Sequence, residues 1–222
     1  MCLSFMALSF MALMGAMITL PIYLQSVHGY STLTTGLLLM PGGLVMGLLG
    51  PQVGRLFDRH GARMLVVPGA ALMTAALVLL TRVSPTTPAW WLLSLHVLLS
   101  AGLALICTPV FTAGLADLPP HLYAHGSAVL GTLQQVAAAV GTAVLVTVLA
   151  TRAASLTAEG SDPVASLNGG IQWGFVVGSV VSALVLGLAF LMPNRPASPS
   201  TGTVAPLTGS GDLQPQDTVR AG

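Results

Sequence analysis

Six long apolar stretches constrain this chain more than any other feature of its sequence. Each holds about 20 residues, the length that an α-helix needs to cross a hydrocarbon core of about 30 Å. Backbone groups in lipid must be hydrogen-bonded within their own segment, and the stretches lack the polar and apolar alternation of barrel strands. We therefore predict an all-α membrane protein, a bundle of six transmembrane helices within residues 1–192. The predicted helices span residues 3–24, 34–54, 64–82, 89–113, 126–151 and 170–192.

Composition supports lipid as the solvent and excludes several functional classes. Charged residues make up 6% of the chain and hydrophobic residues 54%, whereas soluble domains carry about 25% charged residues. The scattered Arg residues form no basic patch, which argues against a nucleic-acid partner. We find no nucleophile elbow, metal-spaced His/Cys cluster or phosphate-binding glycine loop, so we predict no enzyme activity, cofactor or metal. Residues 193–222 are rich in Pro, Ser, Thr and Gly and are predicted to form a disordered tail.

The distribution of Arg predicts the orientation in the membrane. Three Arg residues lie between the second and third stretches, and another begins the tail, whereas the opposite side has Arg82 and Arg152. Cytoplasmic loops hold the excess of basic residues, and Trp collects at the membrane interfaces. All three Trp residues lie at the predicted outer interface. We expect a multi-pass protein of the cell membrane with both chain ends in the cytoplasm.

The segment after the second stretch combines glycines with alternating charges. It reads Gly54-Arg-Leu-Phe-Asp58-Arg59-His-Gly61-Ala-Arg63. The glycines permit tight turns at helix ends. Asp58 can face the N-terminus of a neighbouring helix and pair with Arg59 or Arg63. This segment is a candidate conformational switch; alternatively, its Arg residues only keep the loop in the cytoplasm.

The same segment resembles the signature loop between the second and third helices of a half of the major facilitator superfamily. Three further segments, residues 20–25, 36–43 and 126–142, are similar to the last six helices of fourteen-helix drug:proton antiporters. The resemblance implies the carboxyl-terminal half of a major facilitator fold. It also implies that the loop biases the balance between inward- and outward-open states.

Small residues recur along the second and fifth stretches, where they let helix backbones approach closely. In the family these two helices pack against the other half of the transporter. The glycines therefore predict an inter-half interface or, with equal weight, packing within the six-helix bundle. The third and sixth stretches have almost nothing polar in their middles, which suits lipid-facing positions. The inter-half candidates are Gly36, Gly43, Gly47, Gly50, Gly126, Gly131 and Gly141.

Polar residues concentrate in the first and fourth stretches, which line the substrate cavity in the family. A mostly apolar pocket with a few polar groups suits hydrophobic or amphipathic small molecules. His96 is an ionisable group inside a helix, which suggests a function, although water or a carbonyl near the outer face could satisfy it. The cavity candidates are Thr19, Tyr23, Gln25, Ser94, His96, Ser100, Thr108 and Gln134.

Acidic residues are absent from all six predicted helices. The resemblance places the proton-carrying acids of such antiporters in the first half. The chain begins almost directly in hydrocarbon, so we expect an upstream part, with a missing amino-terminal half or a second copy as partner. The predicted function is proton-coupled efflux of drugs or hydrophobic small molecules by the complete transporter. The alternative is a truncated, non-transporting remnant or a membrane interaction subunit.

Overall fold

A computed structural model describes residues 2–115 and 118–191, and these residues form an all-helical bundle. Its six α-helices are α1 (Cys2–Ser26), α2 (Thr32–His60), α3 (Arg63–Leu80), α4 (Ala89–Leu115), α5 (Tyr123–Ala158) and α6 (Pro163–Phe190). A short 3-10 turn, Pro120–Leu122, precedes α5. All six helices are long and apolar enough to cross a membrane. The predicted class, an all-α membrane protein with six spanning helices, is confirmed, while the predicted tail lies outside the described residues.

Four helices, α1, α2, α4 and α5, extend beyond the apolar stretches that predict them, whereas α3 and α6 begin earlier and end two residues earlier than predicted. α2 continues to His60, so Asp58 and Arg59 belong to its last turn rather than to a loop. α5 has 36 residues, which span about 54 Å at 1.5 Å per residue. A bilayer core needs only about 30 Å, so both ends of α5 project beyond the hydrocarbon. Apolar length identifies the membrane-embedded part of a helix and misses the hydrated turns at its ends.

Two groups of helices make up the bundle. α4 packs on α2 and α3, α1 packs on α5 and α6, and the contact between α3 and α6 joins the groups. Ser182 of α6 donates a hydrogen bond to Thr74 Oγ1 of α3 at 2.9 Å in this contact. One side of α3 and of α6 therefore lies at the centre of the bundle, whereas their other sides are exposed.

A close crossing of backbones fixes α3 against α4. A Cβ added to Gly69 would lie 2.8 Å from the carbonyl oxygen of Gly102, and a Cβ added to Gly102 would lie 2.8 Å from that of Gly69. Only glycine fits at such a crossing. In lipid, where apolar surface alone gives helices little reason to associate, this close packing stabilises the pair.

The loop between α3 and α4 is tied to two other helices. Tyr23 of α1 donates a hydrogen bond to the carbonyl oxygen of Ser84 at 2.5 Å. Gln172 of α6 donates one to the carbonyl oxygen of Val83 at 2.6 Å. These bonds connect both helix groups at one end of the molecule.

Candidate functional site

The outward face of α2 is an apolar surface that the bundle leaves open. In the most apolar 18-residue segment of α2 only 11% is buried, whereas 44% of the corresponding segment of α3 is buried. A Cβ added to Gly36, Gly43, Gly47 or Gly50 would meet nothing within 4 Å. Large apolar side chains flank these glycines and are exposed: Leu33, Leu37, Met40, Leu44 and Leu48. Lipid or another protein segment must cover this face.

The candidate glycines of α5 divide between the two alternatives. Gly131 is open like the α2 glycines, with nothing within 4 Å of an added Cβ. A Cβ added to Gly126 would instead meet Leu118 and lie 3.0 Å from Leu115 Cδ2, and a Cβ added to Gly141 would lie 2.6 Å from Met11 Cα. Gly126 and Gly141 therefore serve packing within the bundle.

The candidate switch segment forms the end of α2 and the start of α3. Gly61 ends α2 with a φ of +79°, a conformation that favours glycine, and donates its N–H to Phe57 O at 2.9 Å. Phe57 is buried in a small cluster of its own with Val53, Ala62 and Leu65. The turn is thus fixed by its own packing.

The charged side chains of this segment are all exposed. Asp58, Arg59 and Arg63 point away from the buried side of the helix ends. Within residues 2–115 and 118–191, the ion pair that forms is Arg152 with Glu159, so Asp58 pairs with neither Arg59 nor Arg63. Gly54 has open space around an added Cβ. The charges of this segment are therefore exposed and unpaired among the described residues.

The candidates of α1 lie on its buried face. Thr19 and Tyr23 are each 0% exposed. Thr19 donates its hydroxyl hydrogen to Gly15 O at 2.8 Å, and Tyr23 bonds the α3–α4 loop. Gln25 is exposed. The hydroxyl groups of Thr19 and Tyr23 therefore already donate hydrogen bonds to backbone carbonyl oxygens of the bundle.

His96 and Ser100 of α4 lie against α2. Both side chains are buried, with exposed fractions of 3% and 6%. A Cβ on Gly42 would overlap the His96 ring and lie 2.7 Å from Ser100 Oγ. His96 Nδ1 and Thr35 Oγ1, one on each helix, are buried without a hydrogen-bond partner among the described residues. The α2–α4 contact thus holds polar groups with unused hydrogen-bonding capacity.

The remaining candidates do not join this contact into one cavity. Ser94 is exposed and donates to Trp90 O at 2.8 Å, while Thr108 and Gln134 are half-buried. The gap between α1, α2 and α4 is lined by Leu20, Leu24, Leu38, Leu39, Ala89, Leu92 and Leu93 and leaves no volume for a water molecule. In this conformation the polar candidates occupy separate places.

Sequence reasoning missed two residues of the α2–α4 contact, Gly42 and Thr35. Gly42 stands beside Gly43 in a run of glycines, and nothing in the run marks which one faces α4. Neighbouring positions on a helix point about 100° apart, so a shift of one residue changes which side of the helix a glycine lies on.

Across the described residues, no three His, Cys, Asp or Glu side chains are grouped as metal ligands.

Several transport proteins match this sequence. The chain is 43% identical over 184 residues to the lincomycin resistance protein LmrB of Listeria monocytogenes, covering 81% of this chain and 39% of the relative. LmrB of Bacillus subtilis is 36% identical over 188 residues, 82% of this chain and 39% of the relative. The puromycin resistance protein pur8 of Streptomyces alboniger is 30% identical over 203 residues, 87% of this chain and 40% of the relative.

These matches agree with the six membrane-spanning helices. The chain spans about two fifths of the length of these relatives. The family model described as Major Facilitator Superfamily matches residues 1–142, more than half of the chain. This multi-pass membrane protein therefore belongs to the major facilitator superfamily of transporters.

Proposed function

We propose that the chain acts as the carboxyl-terminal half of a fourteen-helix antiporter that exports drugs or hydrophobic small molecules in exchange for protons. The observation that carries this proposal is the open, glycine-lined face of α2. Small residues let another helix approach closely in lipid, so this face suits the helices of a second half. The relatives named for lincomycin and puromycin resistance support drugs as the substrate class.

Transport by such a protein consists of rocking two rigid halves around a central site. The turn at Gly61 is held by the small cluster around Phe57, while Asp58, Arg59 and Arg63 are exposed beside it. Charges on a fixed turn can form ion pairs with the other half in one state and lose them in the next. We assign the switch to this segment, with both ends of the chain in the cytoplasm as the Arg distribution indicates.

The substrate site is proposed on the faces of α1 and α4 that approach α2. His96 and Ser100 provide buried polar groups there, and His96 Nδ1 has a free hydrogen-bonding position among the described residues. The surrounding leucines give the mostly apolar lining of a small-molecule pocket. Because α2 and α4 belong to the same half, a local movement of α2 relative to α4, in addition to the rocking of the halves, would expose this contact to substrate. Thr19, Tyr23, Gln25, Ser94, Thr108 and Gln134 remain candidates for the same cavity.

The proton-carrying group is proposed to lie in the other half. The acidic side chains of the described residues are Asp58, Glu159 and Asp162, and all three lie at helix ends. A coupling acid must instead lie along the transport pathway, where access alternates. His96 is ionisable and lies inside the bundle against Gly42. This position suits contact with substrate as well as proton binding, so it does not by itself identify His96 as the proton carrier.

A chimera tests this proposal. The matched 184 residues of Listeria monocytogenes LmrB would be replaced by those of this chain and expressed in a lincomycin-sensitive bacterium. We expect lincomycin resistance that a proton uncoupler abolishes. Asp58→Asn should remove resistance at unchanged amounts of protein in the membrane, whereas Asp162→Asn, at the opposite end, should retain it. A chimera that reaches the membrane in full amount and gives no resistance would overturn the proposal.

The chain by itself distinguishes the alternatives. Reconstituted into vesicles with an imposed pH gradient, it should move no ethidium, because the coupling acid is proposed to be elsewhere. Proton-dependent dye movement by the chain alone would favour a transporter made of two copies. An inactive chimera together with an inactive chain would favour a membrane interaction subunit.

A further inference from the structure

A groove opens between α5 and α6 at the end of the molecule where these two helices meet their connecting loop. It has a volume of about 440 Å³ and is lined by Val148, Thr151, Arg152, Ser155 and Trp173. This volume falls within the range of roughly 300–1,000 Å³ that small-molecule sites occupy. The groove contains none of the residues assigned above to the switch, the substrate cavity or the inter-half face.

The ends of two apolar stretches indicate that the groove lies at a membrane interface. The apolar stretch of α5 ends at Thr151, directly before Arg152, and that of α6 begins only three residues before Trp173. Trp173 is half exposed. Indole and guanidinium groups both favour the headgroup level, where an apolar stem meets lipid and a polar tip meets water. A ligand in this groove would therefore touch acyl chains on one side and water on the other.

Two opposite charges, Arg152 and Glu159, lie beside the groove and form a long ion pair. Arg152 Nη1 lies 3.9 Å from Glu159 Oε1. Ser155 stands between them, accepting a hydrogen bond from Arg152 Nη1 at 3.3 Å and donating one to Glu159 Oε1 at 3.1 Å. Arg152 Nε is buried without a hydrogen-bond partner among the described residues. A guanidinium has five N–H donors, and those on the Nη atoms that Ser155 and Glu159 do not use are left for a ligand.

This charge pattern selects among ligands that carry phosphate. Arg152 matches the geometry of a phosphate oxygen pair. A purely anionic headgroup would be repelled by Glu159, which is 59% exposed beside it. A headgroup with both a phosphate and an ammonium group satisfies both side chains, since their charged tips are only 3.9 Å apart. Val148, about one turn deeper along α5, offers apolar contact to the first acyl carbons.

We propose that the groove lined by Val148, Thr151, Arg152, Ser155 and Trp173 is a binding site for an aminophospholipid of the phosphatidylethanolamine type. Arg152 holds the phosphate and Glu159 holds the ammonium group. Trp173 packs beside the glycerol region. The site is a surface feature of α5 and α6 and does not depend on the proposed transport activity.

Native mass spectrometry of the full chain, purified in detergent, tests the site. Phosphatidylethanolamine, phosphatidylglycerol and phosphatidylcholine with identical acyl chains would be added at equal concentration. We expect phosphatidylethanolamine to be retained several-fold more than the other two. Arg152→Gln should lower this retention at least fivefold, and Trp173→Leu should lower it less. Arg82→Gln, a change to an exposed Arg at the same end outside the groove, should leave it unchanged.

Glu159→Gln provides a second and independent readout, because it keeps the size of this exposed side chain and removes only its charge. It should shift the preference from phosphatidylethanolamine to phosphatidylglycerol. Equal retention in the Arg152→Gln and Arg82→Gln proteins would overturn the proposal, as would an unchanged preference after Glu159→Gln. Displacement of the lipid by inorganic phosphate at the same concentration would also overturn it, since the site would then bind free phosphate.

Discussion

The neighbouring helices α2 and α3 both contain glycine, a series of them on α2 and the single Gly69 on α3, but the surroundings of these glycines are opposite. On α3, Gly69 touches the backbone of α4, and its partner Gly102 touches α3 in return. On α2, Gly36, Gly43 and Gly47 have open space around them. The difference shows that glycine spacing alone does not make a contact, because another part of the chain must lie against the glycine. The α3–α4 crossing is a formed contact, while the α2 face is left open by the other helices of the bundle.

The most sensitive position should be the formed contact. We predict that Gly102→Ala lowers the free energy of unfolding by about 1–3 kcal/mol, the range for overpacking a tight site. An added Cβ would lie 2.8 Å from Gly69 O and 2.9 Å from Met73 N. Both are backbone atoms, so two helices must separate to admit it. Thermal unfolding of the purified chain in detergent measures the loss.

Gly47→Ala on the open face of α2 is the matched control. It adds the same methyl group at a position with nothing within 4 Å. Its unfolding midpoint should equal that of the unchanged chain. Equal midpoints for the Gly102→Ala and Gly47→Ala proteins would show that the two faces do not differ.

Within α2, two adjacent glycines allow a finer comparison. Gly42→Ala should destabilise the chain by about 1 kcal/mol, the lower end of the overpacking range. Its Cβ meets the His96 ring and Ser100 Oγ, which are side-chain atoms and can rotate away. Gly43→Ala, one residue on, should have no effect, because its Cβ meets nothing. Unfolding midpoints of the two proteins give the answer.

A double substitution tests whether contact with His96 causes the destabilisation expected of Gly42→Ala. In a His96→Ala background the ring is gone and Ser100 Oγ remains close, so Gly42→Ala should destabilise the chain less than it does in the presence of His96. Coupling between residues in direct contact is the expected source of such non-additivity. If Gly42→Ala were equally harmful with and without His96, the contact described here would not be the reason for its effect.

These pairs also show what the sequence can and cannot predict. The number of helices follows from apolar length, because each crossing of lipid needs about 20 residues. The extent of α2 does not, because its last turn around Asp58 is polar yet still helical. Glycine spacing predicts close packing but not its partner: Gly141 meets Met11 and Gly131 meets nothing. Arg152 stands out in the sequence as a topology signal, and only folding brings Trp173 to it.

The turn from α1 into α2 should give a smaller, pH-dependent effect. His28 stacks on Tyr30 with ring centroids 5.3 Å apart, and its Nε2 lies 3.3 Å from Tyr23 Oη. Burial lowers the pKa of His28 below its usual 6.5. The folded chain therefore favours neutral His28, and stability that is present above pH 6.5 is lost as the pH falls through this value toward the folded-state pKa. Unfolding midpoints between pH 7.5 and pH 5.5 should record a small decrease.

His28→Gln should flatten this pH dependence, whereas His60→Gln, at an exposed position at the other end of α2, should not. The comparison tests whether α2 is positioned partly through its ends. An identical pH profile in the His28→Gln protein would assign the effect to another group.

The smallest effect on folding is expected for substitutions on the open face of α2. Because folding is unaffected there, any loss of transport can be assigned to a lost contact with another part of the transporter. Gly47→Leu adds a large side chain where an added Cβ meets nothing, so it should change the free energy of unfolding by less than about 0.5 kcal/mol, as surface substitutions do. If a second half packs there, the same leucine must force two helices apart, and lincomycin resistance of the LmrB chimera should be lost while its amount in the membrane is unchanged. If the face meets only lipid, leucine is as acceptable as glycine, and resistance should persist. A substitution that leaves the folded chain intact and still removes transport separates the proposed interface from a lipid-facing surface.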